Sequence, residues 1–376
     1  MDFELTEDQR LLRDTFGRFC TERVVPQAAE IDERGQFPRE LFEELAELGF
    51  FGLRYPEAVG GTGVDFLSYC LAISEIARGS LALAASAAMQ SLMGTHFLDA
   101  FGNDAIRETL LKPAITGRKI GTICITEPDA GSDLSAISTW AERVDGGYRL
   151  SGQKTWITSA AVADFFTVFA RAGEDKRLTI FLVEKDFPGL VVGRGIEKMG
   201  TRASPNNEVF LDKCFVPADH RLGAEGDGES ALRDILDEVR VMTGALAVGV
   251  ARAALEEALQ YAAQRKQFDR PINCFQAIQL KLAEMGTDLE AAQHLVYYAA
   301  WLKDQGRPMR REAAMAKLFA SERAVSICDQ ATRILGSYGY AREFAAERYF
   351  RDIRFTLYGG GTSEILKLLI AREMTS

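Results

Sequence analysis

Apolar positions recur at helical spacing through roughly the first hundred residues. Leu11, Leu12, Phe16 and Phe19 share one face, as do Leu41, Leu45 and Leu48, and 69–93 is rich in alanine and leucine. Phe37-Pro38 and the turn-rich run Tyr55-Pro56-Glu57-Ala58-Val59-Gly60-Gly61-Thr62-Gly63 break the pattern. Near Gly121 the texture changes to short β-branched and aromatic runs at 121–126, 165–169 and 179–183, with Asp145-Gly146-Gly147 placed as a hairpin turn. After 223–228 the helical period returns and holds in alanine-rich segments at 230–264, 276–305, 309–337 and 361–374. This pattern predicts an α+β chain in three parts: an N-terminal helical domain (1–117), a middle β domain (118–228) and a C-terminal four-helix bundle (229–376). The outer faces of the bundle are partly apolar, so burial between subunits is expected.

A chain of 376 residues with 47% hydrophobic positions can bury a sizeable core. Its formal net charge of −10 presents a repulsive surface to a nucleic acid or an anionic membrane, and neither is an expected partner. Cys20, Cys70, Cys124, Cys214, Cys274 and Cys328 are widely spaced, with no CxxC pair and no clustering with His96, His220 or His294. That spacing suggests neither disulfides nor a metal site, but reduced cysteines serving as small core residues. No apolar run approaches the ~20 residues that cross a bilayer, and the N-terminus opens on acidic residues, so a cytoplasmic protein is expected.

Two polar segments of the middle part carry candidate chemistry. In Thr126-Glu127-Pro128-Asp129-Ala130-Gly131-Ser132-Asp133-Leu134, a glycine beside a serine lets the backbone approach a planar or anionic ligand with its donors aimed at it. Gly152-Gln153-Lys154-Thr155-Trp156-Ile157-Thr158-Ser159-Ala160 sets an indole beside hydroxyls at the end of a strand. Taken singly, each reads as ordinary structure, a polar turn and a core tryptophan. Together and in this order, TEPDAGSD and KTWITSA resemble the flavin-binding elements of the acyl-CoA dehydrogenase family. The resemblance extends along the chain through PEAVGGTG, KMGTRAS, QRKQFDRPINCFQ and RDIRFTLYGGGTSEI.

The resemblance implies that family's fold, with a β-barrel-like middle domain, FAD as cofactor, a thioester substrate and a dimer or tetramer of identical chains. Thr126 and Ser132, with the backbone of Ile125 and Gly131, would meet the isoalloxazine or its ribityl and pyrophosphate neighbourhood. Trp156 and Thr158 would cover the ring near its reactive nitrogen. Arg265, Gln267, Phe268, Ile272 and Gln276 match the segment that reaches the pyrophosphate and adenine of FAD from a neighbouring subunit, where a guanidinium offers forked donors. Arg333, Gly336, Ser337 and Gly339 lie where the family commonly has a glutamine followed by glycines. Thr362 and Glu364 match the other adenine-side contact, at a helix start. On the substrate side the implied positions are Asp237, Arg240, Gly359, Gly360 and Gly361.

The same resemblance exposes a gap. Typical members remove the α-proton with a glutamate immediately before the Gly-Thr of the near-C-terminal turn, where this chain has Gly360. A minority place that base before an arginine on the first helix of the bundle, which corresponds to Val239. Glu238, one residue earlier and about 100° round the helix, is the remaining candidate; its plain alternative is a solvent-facing helix carboxylate. General-base assistance is worth on the order of 10²–10⁴ in rate, so its loss favours a substrate whose α-carbon need not be acidified. The leading expectation is an FAD-dependent dehydrogenase of a small hydroxy- or aminoacyl group on an acyl carrier protein, passing electrons to an electron-transfer flavoprotein or to oxygen. A conventional acyl-CoA dehydrogenase with Glu238 as relocated base, a flavin monooxygenase of the same fold, and a non-catalytic FAD-holding scaffold stay open.

Overall fold

The structure, a computed structural model, describes residues 4–375. Its N-terminal part is helical: α1 (Glu7–Phe19), α2 (Ala28–Arg34), α3 (Arg39–Glu47), α4 (Phe66–Gly79), α5 (Leu81–Ala88), α6 (Thr95–Phe101), and the short α7 (Asp104–Ile106) and α8 (Lys112–Ile115). Thr6 opens α1 with a capping box, its hydroxyl accepting from Gln9 N while its own N–H donates to the Gln9 side chain. The alanine- and leucine-rich stretch is interrupted at Ser80, whose hydroxyl accepts from Leu83 N and starts α5; a π-helical turn, Met89–Gly94, follows.

The middle part is one mixed sheet of β1 (Gly121–Cys124), β2 (Trp140–Val144), β3 (Gly147–Thr158), β4 (Phe165–Ala172), β5 (Arg177–Glu184), β6 (Leu190–Gly195), β7 (Asn206–Pro217) and β8 (Arg221–Leu222). The path runs β6-β7-β3-β2-β4-β5-β8, and β1 lies parallel to the first half of β4. The β2–β3 hairpin turns at Asp145-Gly146, where Gly146 takes φ 75°. Tyr148, Leu150, Phe166, Val168, Phe181, Val209 and Leu211 form a core belonging to this sheet alone.

The C-terminal part comprises α9 (Gly228–Gln264), a two-residue ribbon of β9 (Lys266–Gln267) and β10 (Arg270–Pro271), α10 (Gln276–Asp304), α11 (Arg310–Leu335), α12 (Ala345–Asp352) and α13 (Ser363–Thr375). α9 packs against α10, α11 and the N-terminal α4. Gly249 permits the last contact, since a Cβ there would stand 2.1 Å from Ser74 O. Asp304, closing α10, accepts from the N–H groups of Phe66 and Leu67 and so caps α4 as well.

KMGTRAS fastens the three parts together. Thr201 N donates to Asp352 (2.6 Å), the Ser204 and Ser86 hydroxyls meet at 2.9 Å, and a Cβ on Gly200 would collide with the Arg351 backbone. Among the described residues no helix is long and apolar enough to cross a membrane, and no histidine, cysteine and carboxylate group could hold a metal. Five cysteines are buried as expected; Cys274 is exposed instead, on the loop before α10.

Candidate active site

The TEPDAGSD loop is held from beneath. Glu127 is buried and accepts from the N–H and hydroxyl groups of Ser138 and Thr139, and from Lys154 Nζ at 2.7 Å. Lys154, wholly buried, also donates to Ile125 O, and Thr155 N donates to Thr126 O. Burial alone would raise Glu127, but the bonds from Lys154, Thr139 and Ser138 outweigh it and hold the carboxyl at about 2. The ion pair therefore fixes Ile125 and Thr126 against β3, while Gly131 and Ser132 stay exposed above it, with nothing within 4 Å of a Cβ on Gly131.

Trp156 sits at a bulge where the β3–β7 register shifts between Lys154 and Ile157. Its φ is +60°, uncommon for a bulky side chain, and its indole is 55% exposed. Asn206 braces this conformation by donating to Thr158 Oγ1 and Trp156 O; Ser159, also at positive φ, has a buried hydroxyl with no partner. An exposed indole on a strained backbone, beside exposed loop donors and an unpartnered hydroxyl, fits a planar hydrogen-bonding cofactor such as FAD. Sequence reading passed over Glu127, Lys154 and Asn206. The strand alternation held the signal, since Lys154 is in phase with the inward Tyr148 and Leu150.

Arg265, Gln267 and Phe268 lie elsewhere, on the exposed ribbon beyond α9, with Ile272 buried at its base and Gln276 exposed at the first position of α10. Phe268 and Asp269 both take positive φ at its tip, and Phe268 is 87% exposed. The Arg265 guanidinium stands 5.8 Å from the Tyr338 ring, bringing the ribbon beside the turn of Gly336, Ser337 and Gly339; Arg333 pairs with Asp329. Among the described residues no hydrogen bond, ion pair or ring contact links this set to Trp156 or the TEPDAGSD loop.

The two positions where a base is expected converge. A Cβ on Gly360 would stand 3.6 Å from Val239 Cγ1 and 3.3 Å from Thr243 Oγ1, so side chains from the turn and from α9 would enter one space. Neither carries a carboxylate. Gly360 and Gly361 take φ +74° and +111°, and Thr362, just before α13, accepts from Ile365 N with its hydroxyl, with Glu364 exposed behind it. Asp237, raised by burial, holds the buried Arg240, whose Nε lacks a partner.

Glu238 is not solvent-facing. It is buried between Arg54, to which it is hydrogen-bonded, and Lys303 at 2.7 Å. Burial would raise its carboxyl, but Arg54 and Lys303 bring it below the usual range, and His96 alongside is pushed down to about 4, mainly by burial and then by Arg54. Its lone pairs are committed to two cations.

The family models for the N-terminal, middle and C-terminal domains of acyl-CoA dehydrogenase match residues 6–118, 122–214 and 226–375. The chain is 65% identical to the benzylmalonyl-CoA dehydrogenase of Aromatoleum aromaticum over the full length of both. A glutaryl-CoA dehydrogenase solved with glutaryl-CoA superposes with TM-score 0.96 at 37% identity, covering 100% of this chain and 97% of that one. A prolyl acyl-carrier-protein oxidase superposes with TM-score 0.95 at 32% identity, covering 99% and 100%.

Proposed function

The chain belongs to the acyl-CoA dehydrogenase family, and on that premise we propose that it oxidises a CoA thioester with a free carboxylate on its α-carbon and an aryl group on its β-carbon, releasing that carboxylate as carbon dioxide. FAD is the cofactor, and when bound it supplies the acceptor for the β-hydride. The observation that carries the proposal is the meeting of Gly360 and Val239 with no carboxylate on either.

An α-proton must be removed only when nothing else releases an electron pair at that carbon. In a malonyl-type thioester the bond from Cα to the carboxylate can break instead. Its electron pair becomes the second Cα–Cβ bond as the β-hydride leaves, giving an α,β-enoyl thioester and carbon dioxide, with one hydride delivered. A glutamate at position 360 would set a like charge against the departing carboxylate and oppose its binding. Val239 and the three glycines offer a neutral surface, and a poorly solvated surround favours loss of the localised charge.

Identity of 65% to a CoA-dependent relative, against 32% to a carrier-protein oxidase, supports coenzyme A over a carrier protein as the thiol. In this reading Trp156, Thr158, Thr126, Ser132 and the backbone of Ile125 and Gly131 hold the flavin, Thr362 and Glu364 meet the cofactor from the start of α13, and Asp237 and Arg240 flank the substrate. Arg265, Gln267, Phe268, Ile272, Gln276, Arg333, Gly336 and Ser337 serve the cofactor of a neighbouring subunit, in keeping with the lack, among the described residues, of any hydrogen bond, ion pair or ring contact between them and Trp156. Electrons then pass to an electron-transfer flavoprotein. Glu238 holds Arg54 and Lys303 and takes no proton from substrate.

Anaerobic titration tests the proposal. A 2-carboxy-3-arylpropionyl-CoA is expected to bleach the flavin with one carbon dioxide released per FAD, while the 3-arylpropionyl-CoA without the carboxylate leaves it oxidised. Equal bleaching by both thioesters, or by neither, defeats it.

A further inference from the structure

Lys317 on α11 is wholly buried, and no step above uses it. Its ammonium donates to the carbonyls of Leu357 (3.1 Å) and Gly361 (2.6 Å), which bracket Gly359 and Gly360. One helical turn on, Ser321 donates to Thr356 O at 3.0 Å, and Glu322 accepts from Ser363 Oγ at 2.6 Å. Neighbouring positions of one helix thus grip 356–363 at both ends. The segment needs such a grip, because three successive glycines have wide conformational freedom and two of them sit at positive φ.

We propose that Lys317 is a positioning residue for the reaction: it holds the triple-glycine turn in the shape that keeps Gly360 against Val239 and Thr243, and so fixes the wall beside the substrate's α-carbon. The inference rests on the functional reading above only for where the thioester lies.

The ammonium faces Glu322 from its own helix, Arg240 from α9 and Glu364 from α13; burial is the main cause that brings it down to about 8. Charge-assisted hydrogen bonds are roughly twice as strong as neutral ones, so the grip weakens as pH rises through about 8. The unfolded chain keeps this proton up to the ordinary value of 10.5, so in that window the folded state is the one that has released it. The contribution of Lys317 to stability therefore rises with pH there, and turnover lost over the same range is not unfolding.

The test compares wild type with Lys317→Met, by amide hydrogen exchange across 356–363 and by stopped-flow flavin reduction at several pH values. Exchange in that segment is expected to quicken at least about tenfold, and flavin reduction to slow about 10²-fold, the scale of a mispositioned reacting group. FAD content stays near wild type, and the alkaline limb near pH 8 disappears. Unchanged exchange, or the same limb in the variant, overturns the proposal. Should Lys317→Met fail to fold, Ser321→Ala removes one neighbouring bond, and its exchange must quicken in the same segment or the proposal falls. Exchange involves no substrate, so failure of the 2-carboxyacyl thioester to bleach wild type counts against the functional reading alone.

Discussion

Glu238 is a carboxylate close to the expected base positions and yet chemically spoken for. Its neutralisation by Glu238→Gln is expected to slow flavin reduction less than tenfold, well short of a lost general base. The same change leaves Arg54 and Lys303 without their counter-charge and should cost roughly 3 kcal/mol of stability, the scale of a broken buried pair. Denaturant titration beside stopped-flow reduction separates the two effects, and a loss of 10²-fold or more in reduction would restore Glu238 as the base. Gly360→Glu is expected to lower native turnover at least tenfold without conferring efficient oxidation of simple acyl-CoAs. Its backbone would be strained at φ +74°, and its Cβ would stand 3.3 Å from Thr243 Oγ1. A gain in turnover on the native substrate would contradict that account. The empty base positions were legible in the sequence, because each is fixed by its neighbours in a motif. The burial of Glu238 was not, because Arg54 and Lys303 reach it from other parts of the fold.

Among elements, the β9–β10 ribbon exposes a phenylalanine at its tip and holds Arg265 beside Tyr338. Arg265→Ala is expected to weaken FAD retention, with the midpoint of thermal unfolding of the apoprotein unchanged, since a charge-assisted contact is worth roughly 1.5–3 kcal/mol. Phe268→Asp should shift the protein to smaller species in sedimentation and release FAD with them. A variant that stays assembled and fully yellow would remove the ribbon from the cofactor site. The spans of α9, α10, α11 and α13 could be read to within a few residues from their apolar spacing, and the β2–β3 turn from Asp-Gly, whereas the two-turn α12 was not read. The break at Ser80 and the bulge at Trp156 could not, since one is a single capping hydroxyl within an alanine-rich run and the other a register shift set by β7.

Over the whole molecule, the order of helical, sheet and helical parts followed from changes in periodicity, whereas the way they are fastened did not. KMGTRAS reads as a family segment, but its Thr201 N–H meets a carboxylate from the far end of the chain. That carboxylate, Asp352, is fully buried, and burial raises it to about 6 from an ordinary 3.8. Between those values the folded chain holds a proton that the unfolded chain has lost, so this group adds stability as pH falls through about 6. Asp352→Asn is therefore expected to raise the thermal midpoint at pH 8 and to lose that advantage progressively as pH falls from about 6 to below 3.8, the displacement corresponding to at most about 3 kcal/mol. A variant less stable at pH 8 would assign Asp352 an ionic role instead. Glu127 acts in the opposite sense, its contribution present above an ordinary 4.5 and lost only as pH falls through about 2.

The meeting of Gly360 and Val239 also bears on ancestry. Glycine and valine codons each lie one nucleotide from an acidic codon, glutamate when the third base is a purine and aspartate otherwise, so a carboxylate can enter or leave this space by a point mutation in either of two distant stretches of the gene. The routes are unequal, because Val239 is helical whereas Gly360 is left-handed. A lineage regaining proton abstraction from this chain would therefore pass through α9, and Val239→Glu is the substitution that selection for growth on saturated acyl thioesters should recover first.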